Sequence, residues 1–187
     1  MKQTSKQKNH QEPSPYGWAI TVFVMAVVLS SVLSLTSETI LNEAGLVISV
    51  LILCAFIMLG IFFDIIGVAV TAADQRPFHS MAAHKERGAK EALMLLRNAE
   101  RVSSVCNDVV GDICGIVSGT TAAVIVIHLQ NALNTRNVLL SVAITALISG
   151  LTIGGKAMGK AVALKKSTQV VYMTGRFLHI FSRKNKR

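Results

Sequence analysis

Residues 46–71, "LVISVLILCAFIMLGIFFDIIGVAVT", are an apolar stretch with a single charged residue, Asp64. About 20 apolar helical residues are enough to cross the roughly 30 Å hydrocarbon core of a bilayer. The stretch therefore predicts a transmembrane helix. A carboxylate in hydrocarbon costs at least ~2.5–3.5 kcal/mol, so an acid inside such a helix is expected to have a function.

The composition of the whole chain agrees with a membrane protein. Of its 187 residues 51% are hydrophobic and 16% are charged, with a mean hydropathy of +0.51, which differs from a typical soluble domain. We predict an all-α integral membrane protein, a bundle of about four transmembrane helices. The predicted segments are a basic tail (1–16), a transmembrane domain (17–160, with helices 17–35, 46–71, 102–129 and 138–157 and a linker 72–101) and a second basic tail (161–187).

The distribution of Lys and Arg predicts the orientation. The N-terminal tail has three, the 72–101 linker has six and the segment after Gly155 has nine, whereas the other two loops have none and one. Positive charge stays on the cytoplasmic side. We therefore expect a multi-pass protein of the plasma membrane with both termini in the cytoplasm. This bias also accounts for most of the net charge of +9, so we expect no nucleic-acid partner.

The first apolar segment has one alternative, a cleaved signal peptide. Its run of about 18 residues exceeds the usual ~7–15, and no A-x-A-like site follows, which favours a retained helix. Cys54, Cys106 and Cys114 all lie in apolar segments. They are expected to pack as small hydrophobic residues, and their spacing gives no disulfide framework or zinc pattern.

The linker between the second and third helices has its own pattern, "FHSMAAHKERGAKEALMLLRNAE" (78–100). It predicts an amphipathic helical hairpin at the cytoplasmic interface, broken near Gly88. A solvated linker helix is an equally good interpretation. His79 and His84 are five residues apart and diverge on a helix, so we do not expect them to bind a metal.

The third helix has one small, polar face. At about 100° per residue, an arc of about 120° holds seven such side chains: Ser104, Asp108, Gly111, Asp112, Gly115, Ser118 and Gly119. Glycines at four-residue spacing allow a neighbouring helix to approach closely. They do not account for the two acids, which either serve a function or, when protonated or salt-bridged, only hold helices together.

Three carboxylates are predicted to lie at a common depth. At ~1.5 Å per residue, Asp64, Asp108 and Asp112 lie roughly 14, 9 and 15 Å from the cytoplasmic ends of their helices. Lys156 in the fourth helix either extends to the headgroups or pairs with Asp108. With Lys156 included the layer has a charge of about −2, which suits a hard divalent cation with oxygen ligands. We predict a metal site formed by the three aspartates.

The order of four motifs resembles the transmembrane domain of the CorC/cyclin-M (CNNM) magnesium transporters. The stretch at 63–70, "FDIIGVAV", stands where the family has F-S-x-S-E-x-A-L, and the basic stretch at 76–101 matches the family's linker. The stretch at 107–113, "NDVVGDI", lies where the family has G-N-x-L-V-N-I. The stretch at 155–160, "GKAMGK", lies where the family has G-E-x-x-P-K. The resemblance covers roughly residues 50–180.

The resemblance implies a homodimer with magnesium at its polar midplane. It places Asp64 at a serine position, Asp108 and Asp112 at the two asparagine positions, and Lys156 at the glutamate position. We do not expect the family's cytoplasmic CBS pair and C-terminal domain in this chain, which stops at "FSRKNKR". Either the acids have replaced neutral oxygen ligands in a working site, or the site has decayed and Lys156 neutralises it.

Three classes of function compete. One is transport of a divalent cation such as magnesium, or sodium-coupled transport, which the acidic layer favours. Another is a non-transporting membrane protein that acts as a partner or regulator of a full-length homologue, which the lysine favours. An intramembrane enzyme with paired aspartates is disfavoured, because Asp108 and Asp112 share one helix and no activated nucleophile is recognisable. We therefore expect no enzyme activity.

Overall fold

The computed structural model describes residues 15–43, 45–134 and 137–184, and the regular structure in these ranges is entirely helical. The predicted all-α fold is confirmed. The elements are α1 (Pro15–Glu43), α2 (Leu46–Ala72), α3 (Arg76–Ala83), α4 (Ala89–Arg97), α5 (Ala99–Ser104), a π-helical segment (Val105–Gly111), α6 (Asp112–Ala132), α7 (Val138–Lys165) and α8 (Ser167–Lys184).

Four helices are long and apolar enough to cross a membrane, as the sequence predicts. They are α1, α2, the continuous helix made by α5, the π segment and α6, and α7. Large apolar side chains on α1 and α7 remain exposed in the isolated chain, for example Phe23 and Leu139, as expected of lipid-facing surfaces. Most of the predicted N-terminal tail, residues 1–14, lies outside the described residues.

Helix α2 is the central element and contacts both α6 and α7. Two glycines of α7 let it pack closely on α2: a Cβ at Gly155 would lie 2.7 Å from Ile61 Cδ1, and one at Gly159 would lie 3.0 Å from Ile61 Cγ2 and 3.1 Å from Ile65 Cγ1. Small residues at helix contacts in membranes allow such close approach. The sequence predicted such glycine packing only for the third helix.

Helix α1 packs against the third span, on the π segment and α6. The buried side chains there are Val109, Ile113 and Val117, and α1 covers them with Val22, Met25, Ala26, Leu29 and Leu33. The Arg101 guanidinium lies 5.3 Å from the ring centroid of Trp18, in cation–π geometry. This contact brings the beginnings of α1 and α5 together at one end of the bundle.

The predicted hairpin between the second and third spans is confirmed as α3 and α4. Gly88 is the residue just before α4 and has a left-handed backbone conformation, with φ of 88°. Glycine adopts this conformation without the steric cost of a side chain. The hairpin is amphipathic: Phe78 of α3 and Leu96 of α4 are buried in one cluster with Val70 of α2. The hairpin therefore packs against the end of the bundle.

Helix α8 was not predicted, because residues 161–187 were read as a basic tail. Helix α7 extends to Lys165, and after Lys166 the chain folds back as α8 against α4. Val171 and Gly175 are buried on the α4 side, and Leu178 is partly buried. Their spacing of four and three residues is an amphipathic pattern that is already present in the sequence.

A hydrogen bond links α8 to the hairpin. His179 Nδ1 lies 2.7 Å from Glu91 Oε1. Burial raises the pKa of the Glu91 carboxyl, but the hydrogen bond to His179 and the neighbouring charges outweigh burial, so the pKa is below its ordinary value of 4.5. A depressed carboxyl pKa means that this stabilisation is present above pH 4.5 and is lost as the pH falls through the lowered value.

We predict that Gly88→Ala destabilises the fold by at least about 1–2 kcal/mol, the cost of a left-handed alanine. The added Cβ would also lie 2.6 Å from the backbone of Arg176, which displaces α8. Thermal unfolding in detergent measures the effect. Gly154→Ala is the matched control, because nothing lies within 4 Å of its Cβ position and alanine suits a helix better. Equal melting temperatures for the Gly88 variant and the wild type would contradict the prediction.

Candidate functional site

Asp64 is a residue of α2, and its side chain lies inside the bundle, where α2 meets α7 and the third span. Its side chain is 5% exposed, and it stands roughly 12 Å from the end of α2 at Ala72, counted along the helix. A buried carboxylate requires an opposite charge or hydrogen bonds to offset its lost hydration. The surroundings of Asp64 supply that compensation.

The partner of Asp64 is Lys156. Its Nζ lies 3.2 Å from Asp64 Oδ2 and donates a hydrogen bond to the Gly111 carbonyl oxygen at 3.1 Å. Because α7 continues to Lys165, Lys156 stands roughly 14 Å inside its helix rather than at its end. The lysine therefore points into the bundle, and its carboxylate partner is Asp64 rather than Asp108.

Glycines leave room for this ion pair. A Cβ at Gly111 would lie 2.5 Å from Asp64 Oδ1, and one at Gly60 would lie 3.2 Å from Cys114 Cβ and 3.8 Å from Lys156 Cε. Any larger residue at Gly111 would push the carboxylate away. The sequence predicted close packing at Gly111, Gly115 and Gly119. Of these three, Gly111 makes such a contact within the chain, with Asp64 of α2.

The π segment supplies further polar groups. Its i→i+5 hydrogen bonds accommodate an extra residue per turn, and such segments are frequent at functional sites. Gly111, whose carbonyl accepts from Lys156, ends the segment. Asn107 donates from Nδ2 to Ser103 Oγ at 3.1 Å, while its Oδ1 is buried against Gly67 without a hydrogen-bond partner in the described part of the chain.

Asp108 and Asp112 do not join Asp64. Both are exposed in the isolated chain, and the described residues contain no group of three or more His, Cys, Asp or Glu side chains that could hold a metal ion. The prediction assumed 100° per residue throughout. Asn107 and Gly111 face the bundle, and each acid follows one of them by a single position, which turns its side chain roughly 100° away from that contact.

The two acids instead share an exposed surface, which we call the open face. It consists of Asp108, Asp112, Gly115, Ile116 and Gly119. A Cβ at either of its two glycines would meet nothing within 4 Å, and Ile116 is 57% exposed. Gly115 and Gly119 therefore make no close helix contact within residues 15–43, 45–134 and 137–184 of one chain.

These features define a class: a polytopic helical membrane domain with a buried ion pair in its interior. The profile of one family, described as the cyclin M transmembrane N-terminal domain, matches residues 51–184. This is well over half of the chain, so the chain belongs to the cyclin M transmembrane domain family, in agreement with the resemblance noted in the sequence. Comparisons with curated proteins and with solved structures give no match.

We predict that Asp64→Asn is strongly destabilising, because it leaves the Lys156 ammonium buried without its counter-charge. Removing one partner of a buried pair costs about 3–5 kcal/mol. Asp108→Asn, in an exposed position of the same layer, should cost much less. Thermal unfolding of both variants in one detergent compares them. A larger loss for the Asp108 variant would instead support pairing between Lys156 and Asp108.

Proposed function

We propose that this chain acts in the transport or homeostasis of divalent cations, with magnesium as the ion, as a cyclin M membrane domain. The observation that carries the proposal is the buried group formed by the Asp64 carboxylate and the Gly111 carbonyl around one positive charge. Carboxylate and carbonyl oxygens are the ligands of hard cations. Membership of a family that is linked in general to magnesium transport supports the choice of ion.

A second candidate is a non-transporting membrane protein that acts as a partner or regulator of a full-length homologue. The Lys156 ammonium favours it, because this charge neutralises Asp64. A divalent cation approaching the pair would meet a net charge near zero. The two candidates therefore differ in whether a free cation ever takes the place of the lysine.

We also propose that both termini and the hairpin face the cytoplasm at the plasma membrane. The contact between Trp18 and Arg101 joins the beginnings of α1 and α5, and α8 packs on the hairpin. This one end of the bundle carries most of the Lys and Arg residues. Positive charge is retained on the cytoplasmic side during insertion.

A homodimer is the assembly that best accounts for the open face. Two exposed carboxylates in an apolar span would each cost at least ~2.5–3.5 kcal/mol against lipid. A second copy that covers the face would remove them from lipid, and Gly115 and Gly119 would allow its helix to come close. The contact would be isologous, with the same face on both copies.

Reconstitution into liposomes tests the transport proposal. We expect the purified wild type to carry Mg²⁺ into vesicles that contain a Mg²⁺ indicator, with and without a sodium gradient. Asp64→Asn should abolish the flux. Asp74→Asn is the control and should not abolish it, because Asp74 is exposed and lies in the loop after α2. Absence of flux from folded wild-type protein under both conditions would reject transport and favour the partner or regulator.

The dimer proposal predicts that Gly115→Leu reduces the dimer fraction in mild detergent, because the larger side chain keeps the two open faces apart. Gly150→Leu is the control, since Gly150 on α7 also has open space around its Cβ position. Size-exclusion chromatography with light scattering gives the protein mass of each. An unchanged dimer fraction in the Gly115 variant, or a monomeric wild type, would contradict the assignment.

A further inference from the structure

The Lys156 ammonium has the surroundings that a bound cation would have. It contacts one carboxylate oxygen at 3.2 Å and one backbone carbonyl oxygen at 3.1 Å. These are oxygen ligands, and the distances are those of an ammonium group rather than of a metal ion such as Mg²⁺, which binds oxygen at about 2.0–2.1 Å. The lysine therefore occupies a position that is chemically suited to a hard cation.

About one helical turn along α2 from Asp64, at Gly67, a side-chain oxygen of the π segment has no donor in the part of the chain that the structure describes. Asn107 Oδ1 is buried without a hydrogen-bond partner among the described residues, and Asn107 precedes Gly111 by four residues in the π segment. Buried side-chain oxygens are normally paired. An unpaired oxygen acceptor thus lies where the π segment contacts α2, near the ion pair.

We propose that Lys156 is a tethered cation that competes with free hard cations for the oxygens of Asp64 and Gly111. Two positive charges cannot share one carboxylate in a medium of low dielectric constant, because their repulsion grows as the dielectric constant falls. A metal ion binds there only after the ammonium has moved away. Lys156 in this way sets the cation concentration at which the site fills.

The lysine is the more exposed partner of the ion pair. It is 22% exposed, whereas the Asp64 side chain is 5% exposed, so the ammonium can withdraw while the carboxylate stays. Its flexible four-carbon stem permits that movement. The inference rests on the proposed role in cation handling and adds the residue that controls access to the site.

Lys156→Gln tests the inference, because it removes the competitor and keeps a side chain of similar length. Thermal unfolding is followed with increasing MgCl₂, with NaCl in a second series and choline chloride to match ionic strength. A ligand at about ten times its Kd should raise the melting temperature of the variant by roughly 3–6 °C. The wild type should respond less. Lys160→Gln, an exposed position one turn further along α7, should behave as the wild type does.

A folded Lys156→Gln protein that responds to neither ion more than the wild type does would overturn the inference. If this variant does not fold, the wild type decides the question through amine labelling read by mass spectrometry. Mg²⁺ or Na⁺ that displaces the ammonium should speed the labelling of Lys156 relative to Lys160, and unchanged relative labelling would reject displacement. These readouts report binding, so a negative flux result in liposomes leaves their outcome unaffected.

Discussion

The ion pair between Asp64 and Lys156 is the constraint on which the helix arrangement depends. Two opposite charges in a medium of low dielectric constant attract strongly, yet each is costly when it is left alone. The helices that carry them must therefore stay close together. Gly60 and Gly111 make room for the two side chains, and the glycine contacts of α7 on α2 keep the lysine within reach of the carboxylate.

Most of the fold follows from local properties of the sequence. Span length and apolar content identify the four crossing helices, and Gly88 marks the break in the hairpin because its backbone conformation suits glycine. Helix α8 was not expected because segment 161–187, with seven Lys and Arg residues, resembles a solvated tail. The amphipathic spacing of Val171 and Gly175, which pack beside α4, is present in the sequence but is obscured by these charges.

The site was only partly predictable. Asp64 and Lys156 stand out as charges within apolar segments, and a search for intramembrane charges finds them. The π segment does not stand out, because a local change in helical register depends on tertiary contacts rather than on residue preferences. Within it Gly111 is buried against Asp64 and Asn107 lies against Gly67, whereas Asp108 is exposed. The glycines that flank Asp64 on α2, Gly60 and Gly67, were the sequence signal for this contact.

The cluster that joins the hairpin to the bundle has a consequence for biosynthesis. It contains Ile66 and Val70 of α2, Phe78 of α3 and Val171 of α8, so its members are synthesised about a hundred residues apart. All four spans can enter the bilayer before Val171 leaves the ribosome. Phe78 is fully buried in the folded protein. Until α8 is in place, this side chain is only partly buried. Helix α8, which is synthesised after the four spans, therefore completes this cluster only after the spans have been inserted.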